Sequence, residues 1–397
     1  MNFERFRSPA PPVYRASTVL FDDTAHLARV QREMAASGDA SLYGAFGTPT
    51  TAALATEVLS REGGFRVAFT PSGLSAVALS LLSVLRAGDH LLMTDSCYGP
   101  TRELCRGVLA RLGITTDFFD PTIGSGIASL IRSETRAVFL ESPGSFTFEV
   151  VDVSAIVAAL RHADHERASD APIYVLLDNA WGSPGLFAPF EHGVDVSIIP
   201  LTKYWGGHAD LLLGAVVSGE RAWKLVRGAA HDLGLCTNGE DAALALRGAR
   251  TVDVRLRAHA ASALEIARWL ALRSDVGRVL HPAFPDSPGH ELWKRDFKGS
   301  NGLLSFELLM PNGDLASVER AAQLADLLTR DGVFGLGYSW GGFESLVMPG
   351  VLPTLSHMAR SARPWTGGAL IRLHVGLEPV ELLLGSLERA LNAIATG

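Results

Sequence analysis

Between about residue 65 and residue 220, short apolar runs alternate with amphipathic segments, and few architectures accept that pattern. Arg66–Thr70 predicts a strand and Leu74–Leu85 a helix, Asp89–Thr94 a strand and Thr101–Leu112 a helix, Arg136–Leu140 a strand and Val153–His162 a helix. Ile173–Leu177, Val196–Pro200 and Leu211–Ser218 predict further strands. Runs apolar on every residue belong to strands buried on both faces, as in a mostly parallel sheet wrapped by helices. The expected fold class is therefore α/β: a large domain with a mostly parallel, seven-stranded-type sheet flanked by helices. Ligands of such sheets bind at the carboxyl ends of the strands.

The remainder of the chain reads differently. Ala242–Leu270 is one long stretch of helical period, and Gly302–Leu308 and Leu370–Val375 predict strands of a smaller α+β C-terminal domain. Residues 1–50 are rich in proline, alanine and polar side chains with no clear core pattern. The expected division is an arm over 1–50 that contacts a neighbouring subunit, a large domain over 51–245 and a small domain over 246–397.

Two strand ends carry the chemistry. Leu176-Leu177 runs into Asp178, and Ile198-Ile199-Pro200-Leu201-Thr202 runs into Lys203. An acid and an amine so placed suit pyridoxal 5'-phosphate, whose aldehyde needs a lysine to tether it and whose ring nitrogen needs a carboxylate to stay protonated. Most lysines are solvated surface groups, so the pair alone also permits a plain surface reading. The turn Thr70-Pro71-Ser72-Gly73-Leu74-Ser75 joins a strand to a helix, and its backbone N–H groups could cradle a phosphate or merely cap the helix. Thr202 offers a hydroxyl toward that phosphate, or simple strand propensity. Tyr98 could stack on a flat ring or pack as a loop residue beside Gly99-Pro100. Cys97 reads as a small buried side chain, and His208, after two glycines, as a structural hydrogen-bonder. Arg372 lies inside an apolar strand, where a guanidinium is costly unless a carboxylate meets it. That carboxylate could belong to an amino-acid substrate or to an internal salt bridge.

Charge and cysteine usage narrow the class. A net charge of −7 with no basic cluster argues against nucleic acid as a partner. The three cysteines (Cys97, Cys105, Cys236) have no metal-ligand spacing, so no metal site is expected, and their sparseness points to a reducing compartment. The charged start Met-Asn-Phe-Glu-Arg-Phe-Arg is not followed by an apolar core, so no signal peptide is expected. No run of about 18 apolar residues occurs, and no membrane is expected as a partner. The expected location is cytoplasmic.

These residues resemble a family. Pro11–Thr18, Tyr43-Gly44 with Gly47-Thr48, Gly88–Thr94, Val138–Ser145, Asp178–Trp181, Thr202–Tyr204, Trp293–Phe297, Tyr338–Leu346 and Ile371–His374 are similar, in order, to segments of bacterial cystathionine beta-lyases. These belong to the Cys/Met-metabolism group of fold-type I pyridoxal-phosphate enzymes. The resemblance implies that Lys203 tethers the cofactor, Asp178 partners its ring nitrogen and Tyr98 stacks on the ring. It places Ser72, Gly73, Leu74 and Thr202 at the phosphate, and Arg372 and Ser339 at the substrate carboxylate, with Trp340 lining that pocket. Tyr43 falls where the family sends a tyrosine into the neighbouring subunit's site, which implies a homodimer or homotetramer with shared active sites. The family's usual arginine two residues later is Ala45 here, and Pro200 and Leu201 replace small residues before Thr202. The implied activity is beta-elimination on a thioether amino acid such as cystathionine, giving homocysteine, pyruvate and ammonia. The alternative is beta- or gamma-replacement or elimination on an unusual amino acid.

Overall fold

A computed structural model describes residues 8–37, 41–166, 172–310, 312–314, 316–350 and 370–396. Its first sheet has seven strands: β1 (Arg66–Thr70), β2 (His90–Thr94), β3 (Thr115–Phe119), β4 (Thr135–Glu141), β5 (Tyr174–Asp178), β6 (Val196–Pro200) and β7 (Gly214–Ser218). Their order is β1-β7-β6-β5-β4-β2-β3, parallel except that β7 runs antiparallel to both neighbours. A second sheet joins β8 (Val276–Leu280), β9 (Leu303–Leu308), β10 (Gly335–Leu336), β11 (Leu346–Gly350) and β12 (Leu370–His374) in the order β10-β11-β12-β9-β8. The helices are α1 (Thr24–Ser37), α2 (Pro49–Glu62), α3 (Gly73–Val84), α4 (Gly99–Leu104), α5 (Val153–Glu166), α6 (Glu220–Asp232), α7 (Gly239–Ala249), α8 (Val252–Ala271), α9 (His290–Asp296), α10 (Val318–Arg330) and α11 (Val380–Thr396).

The central strands are apolar on every residue because both faces are covered. On β5, Leu176 packs with β6 residues Val196 and Ile198 among side chains of α3 and α6. Val175 and Leu177 face the other way, against Val153, Ile156 and Leu160 of α5. Each such side chain contributes about 1.5–3 kcal/mol when fully buried. A third cluster packs Leu54 and Val58 of α2 and Ala245 and Leu246 of α7 against Leu201 and Trp205. The second sheet is covered by α8, α10 and α11.

Two sequence expectations need correction. The stretch Ala242–Leu270 is two helices, α7 and α8, broken at Arg250-Thr251. The break is held by Arg255, whose Nη2 donates to Gly248 O at 2.7 Å and whose Nε donates to Thr251 Oγ1 at 3.2 Å. It lets α7 pack beneath the Lys203 turn while the latter half of α8 enters the core of the second sheet. The strand expected over Leu211–Ser218 starts only at Gly214, because Thr202 Oγ1 takes the backbone N–H of Leu213 at 3.0 Å. The first 50 residues hold a full helix, α1, and the start of α2.

Candidate active site

Lys203 stands three residues beyond β6, in a turn closed by Lys203 N–H to Pro200 O at 3.1 Å and Gly207 N–H to Lys203 O at 2.9 Å. Its Nζ donates to Ser339 Oγ at 2.8 Å and lies 4.8 Å from the centre of the Trp340 ring. Burial pushes the amine down to about 7; the Arg372 guanidinium adds to that and Asp178 opposes it.

Asp178 is the last residue of β5, and its Oδ1 accepts from the Ala180 N–H at 3.0 Å. In register beside it, at the end of β4, is Glu141. Burial raises both carboxyls, Asp178 to about 6 and Glu141 well above the usual range, with Asp178 raising Glu141 further. Of this pair, Glu141 is the carboxyl pushed further toward its neutral form, by burial and by the neighbouring Asp178. Glu141 Oε2 also accepts from the Tyr98 backbone N–H at 2.6 Å, which fixes the start of the loop entering α4. Tyr98 is half exposed, and Asp178, Glu141 and Arg372 all act on its hydroxyl, so it shares their electrostatic neighbourhood.

Arg372 sits in the middle of β12, nearly buried, 4.8 Å from the centre of the Phe146 ring. Its Nη2 donates to Ser339 O at 3.2 Å, its Nε has no partner, and burial lowers it to about 10. No carboxylate pairs with it among the described residues, so the internal salt bridge open to it on sequence alone is absent there. A desolvated guanidinium with an unused donor calls for an anion from outside the chain.

Ser339 holds a left-handed backbone (φ 76°), a conformation costing about 1–3 kcal/mol in a non-glycine residue. Arg372 fixes its carbonyl, and His374 Nε2, one turn of the strand pleat further on, takes the Gly341 N–H at 3.1 Å. Gly341 (φ 90°) passes so close over the Lys203 turn that a Cβ would stand 2.7 Å from Tyr204 N. A cavity of about 550 Å³ opens there, lined by Thr202, Ser339, Trp340, Tyr338 and Glu344 among others.

The phosphate candidates also meet. Ser72 caps α3 by accepting the Ser75 N–H at 3.2 Å, leaving the Gly73 and Leu74 amides at the open helix end. Gly73 lies against the end of β6, where a Cβ would come within 2.8 Å of Pro200 Cβ, two residues from Thr202. Tyr43 lies elsewhere: half exposed in a bridge to Thr18, it has no hydrogen bond or ring contact to the residues above. His208 bonds locally, Nδ1 to Gly206 O at 2.7 Å. Glu141 and Phe146 were absent from the sequence candidates. Glu141 had a readable signal, since Val138-Phe139-Leu140-Glu141 repeats the apolar-run-then-acid pattern of β5. Phe146, in a loop, gave none.

Comparison with known proteins decides the family. The Cys/Met metabolism PLP-dependent enzyme model matches residues 2–392. The chain belongs to that family. It is 44% identical over 384 residues to a putative cystathionine beta-lyase of Rhizobium johnstonii, covering 96% of this chain and 91% of that one. It is 40% identical over 376 residues to cystathionine beta-lyase MetC of Escherichia coli, covering 95% and 91%. The crystal structure of metB from Corynebacterium glutamicum superposes with a TM-score of 0.84 at 26% identity, covering 98% and 94%. As a member of this family, the chain is an enzyme whose cofactor is pyridoxal 5'-phosphate. The residues present suit that group. A lysine amine depressed to about 7, a strand-end carboxylate and open helix amides are the kinds of group that it requires.

Proposed function

We propose that the chain is a carbon–sulfur lyase that performs beta-elimination on a thioether amino acid, with cystathionine the representative substrate and homocysteine, pyruvate and ammonia the products. The observation that carries this reading is the triangle of Lys203, Ser339 and Arg372. An amine that loses its proton near neutrality touches a hydroxyl whose own backbone is held by an arginine with no carboxylate partner among the described residues. The named activity of the Rhizobium and Escherichia relatives supports it.

Lys203 would tether the cofactor, Asp178 would face its ring nitrogen, Tyr98 would cover the ring, and Ser72, Gly73, Leu74 and Thr202 would receive the phosphate. When bound, the group supplies an electron sink for the pair left at the substrate's alpha carbon. The protein does the rest. Arg372, with Ser339, takes the substrate alpha-carboxylate, which fixes the alpha proton relative to the lysine. Lys203, uncharged above about pH 7, accepts that proton at Nζ, and the Ser339 hydroxyl beside it holds the amine in place. Trp340, tilted over Tyr204 with ring centres 5.5 Å apart, walls the site and excludes water.

The working unit in this reading is a homodimer or a homotetramer, with Tyr43 serving the neighbouring subunit. Val13, Tyr14, Leu20, Tyr43 and Phe46 leave apolar surface on one segment, as Tyr338 and Phe343 do at the cavity mouth. Cytoplasmic location is supported by three free cysteines, Cys97 and Cys105 buried and Cys236 exposed. Among the described residues no helix is long and apolar enough to cross a membrane.

Incubation with L-cystathionine should yield pyruvate and a free thiol in equal amounts. Lys203→Ala should lower turnover by at least about 10³-fold and abolish borohydride-fixed cofactor on the chain. Pyruvate production retained by Lys203→Ala would overturn the assignment.

A further inference from the structure

Behind the two site loops lies a buried polar chain that the reaction does not use. Glu62, the last residue of α2, is 3% exposed, yet its hydrogen-bond partners are all uncharged donors. Ser183 Oγ donates to Glu62 Oε1 at 2.6 Å, and Asn179 Nδ2 donates to Oε2 at 3.2 Å. Ser183 Oγ in turn accepts the Trp205 indole N–H at 2.8 Å. Every bond in the chain points toward the carboxyl.

Its two ends are informative. Asn179 follows Asp178 directly and ties its backbone N–H to Ile198 O at 2.9 Å. Trp205 lies two residues past Lys203, inside the turn that the Gly207 and Lys203 backbone closes. The Ser183–Trp205 bond joins the loop leaving β5 to the loop leaving β6, and Glu62, by taking the Ser183 and Asn179 hydrogens, fixes the Ser183 hydroxyl with a lone pair toward the indole. The chemistry is also selective. Ser183 and Asn179 both present hydrogens, so both atoms opposite them must be acceptors, which a carboxylate supplies. Glutamine would offer only one acceptor oxygen, so either the Asn179 or the Ser183 hydrogen would lose its partner, and an apolar residue would strand both.

We propose that Glu62 is a positioning residue that orients Ser183 and Asn179 so that the Asp178 loop stays tied to the Lys203 loop through Trp205, and so sets the span between acid and amine into which the cofactor must fit. This rests on the reading of Lys203 and Asp178 given above. A buried carboxyl with no ionic partner is a poor way to gain stability, since apolar residues of similar volume usually serve as well or better. A carboxyl at this junction is well suited to fixing geometry.

The test uses full-length enzyme loaded with pyridoxal 5'-phosphate. Glu62→Gln should raise the cofactor dissociation constant roughly tenfold and move the pH midpoint of the bound cofactor's absorbance change by roughly half a unit or more, because misplacing one group weakens what the pair holds jointly. Ser183→Ala, which removes two bonds of the chain, and Trp205→Phe, which removes one, should move both readouts in the same direction. Glu62→Asp, which keeps both acceptors, should recover part of the change. A lowered melting temperature with dissociation constant and midpoint both unchanged would show packing alone and overturn the proposal. If Glu62→Gln does not fold, unchanged readouts in both Ser183→Ala and Trp205→Phe would overturn it equally. Lys203→Ala is carried alongside. Borohydride-fixed cofactor remaining in that variant would sink the underlying site reading, whatever the Glu62 result.

Discussion

Lys203 and Asp178 titrate within about one unit of each other, at about 7 and about 6, and this has a direct consequence for loading the enzyme. The lysine is a nucleophile only when neutral, which holds above about pH 7 because burial and Arg372 disfavour its charge. The aspartate can partner a protonated ring nitrogen only when ionised, which holds above about pH 6. Raising the pH therefore favours both conditions. The rate at which cofactor-free protein takes up pyridoxal 5'-phosphate should climb about tenfold per pH unit below 7 and level off above it. Stopped-flow absorbance across pH 5.5–9 (roughly the range spanning both groups) checks it, and a flat profile would show that the amine is not desolvated. Arg372 gives the complementary case. Its charge is buried with no carboxylate partner among the described residues, so Arg372→Leu should raise the melting temperature of cofactor-free protein or leave it unchanged, as removal of buried charges often does. The same change should raise KM for the amino-acid substrate by about 10–100-fold, the worth of a charge-assisted bidentate contact, while cofactor affinity stays near its original value.

At the scale of elements, the start of α3 shows how close backbone approach serves the site. Gly73 has room for no side chain because Pro200, at the end of β6, stands where a Cβ would go. Gly73→Ala should push the helix end from the strand, weakening cofactor binding about tenfold and costing about 1–3 kcal/mol of stability by overpacking. Isothermal titration with pyridoxal 5'-phosphate and a melting curve measure the two effects. The elements forming this junction were legible in the sequence because β5 and β6 are buried on both faces and so read as unbroken apolar runs. The strands that escaped notice lack that signal. Thr115-Thr116-Asp117-Phe118-Phe119 forms β3 at the sheet edge, where the polar residues of one half hide the pattern, and β10 spans only two residues. The α7–α8 break was invisible for another reason. Helical period continues across Arg250-Thr251, and only the reach of Arg255 back to Gly248 O marks the interruption. Among the site residues, Lys203, Asp178 and Arg372 stood out as polar residues against apolar runs. Ser339, Trp340 and Tyr43 were found through the family resemblance, since each lies in a loop with no periodicity of its own.

At the scale of the whole molecule, the position of Tyr43 constrains the assembly. Within its own chain it pairs with Thr18 through the backbone and contacts none of Lys203, Asp178 or Arg372. On the same N-terminal segment Leu20 is 88% exposed, and Tyr338, which lines the cavity, is 86% exposed. In the proposed dimer a second copy would cover apolar side chains left this open. A tyrosine that serves the partner's site makes a sharp expectation for mixtures of defective subunits. Tyr43→Ala and Lys203→Ala should each give a weakly active or inactive homodimer. In a mixed dimer, one site combines the intact lysine of the first chain with the intact tyrosine of the second, and the other site lacks both. Equal amounts of the two variants, allowed to exchange subunits, should form mixed dimers in about half the population and recover about a quarter of the original activity. Were Tyr43 to act within its own chain, every site in the mixture would lack one residue or the other, and mixing would restore nothing. Activity against L-cystathionine before and after subunit exchange distinguishes the two arrangements.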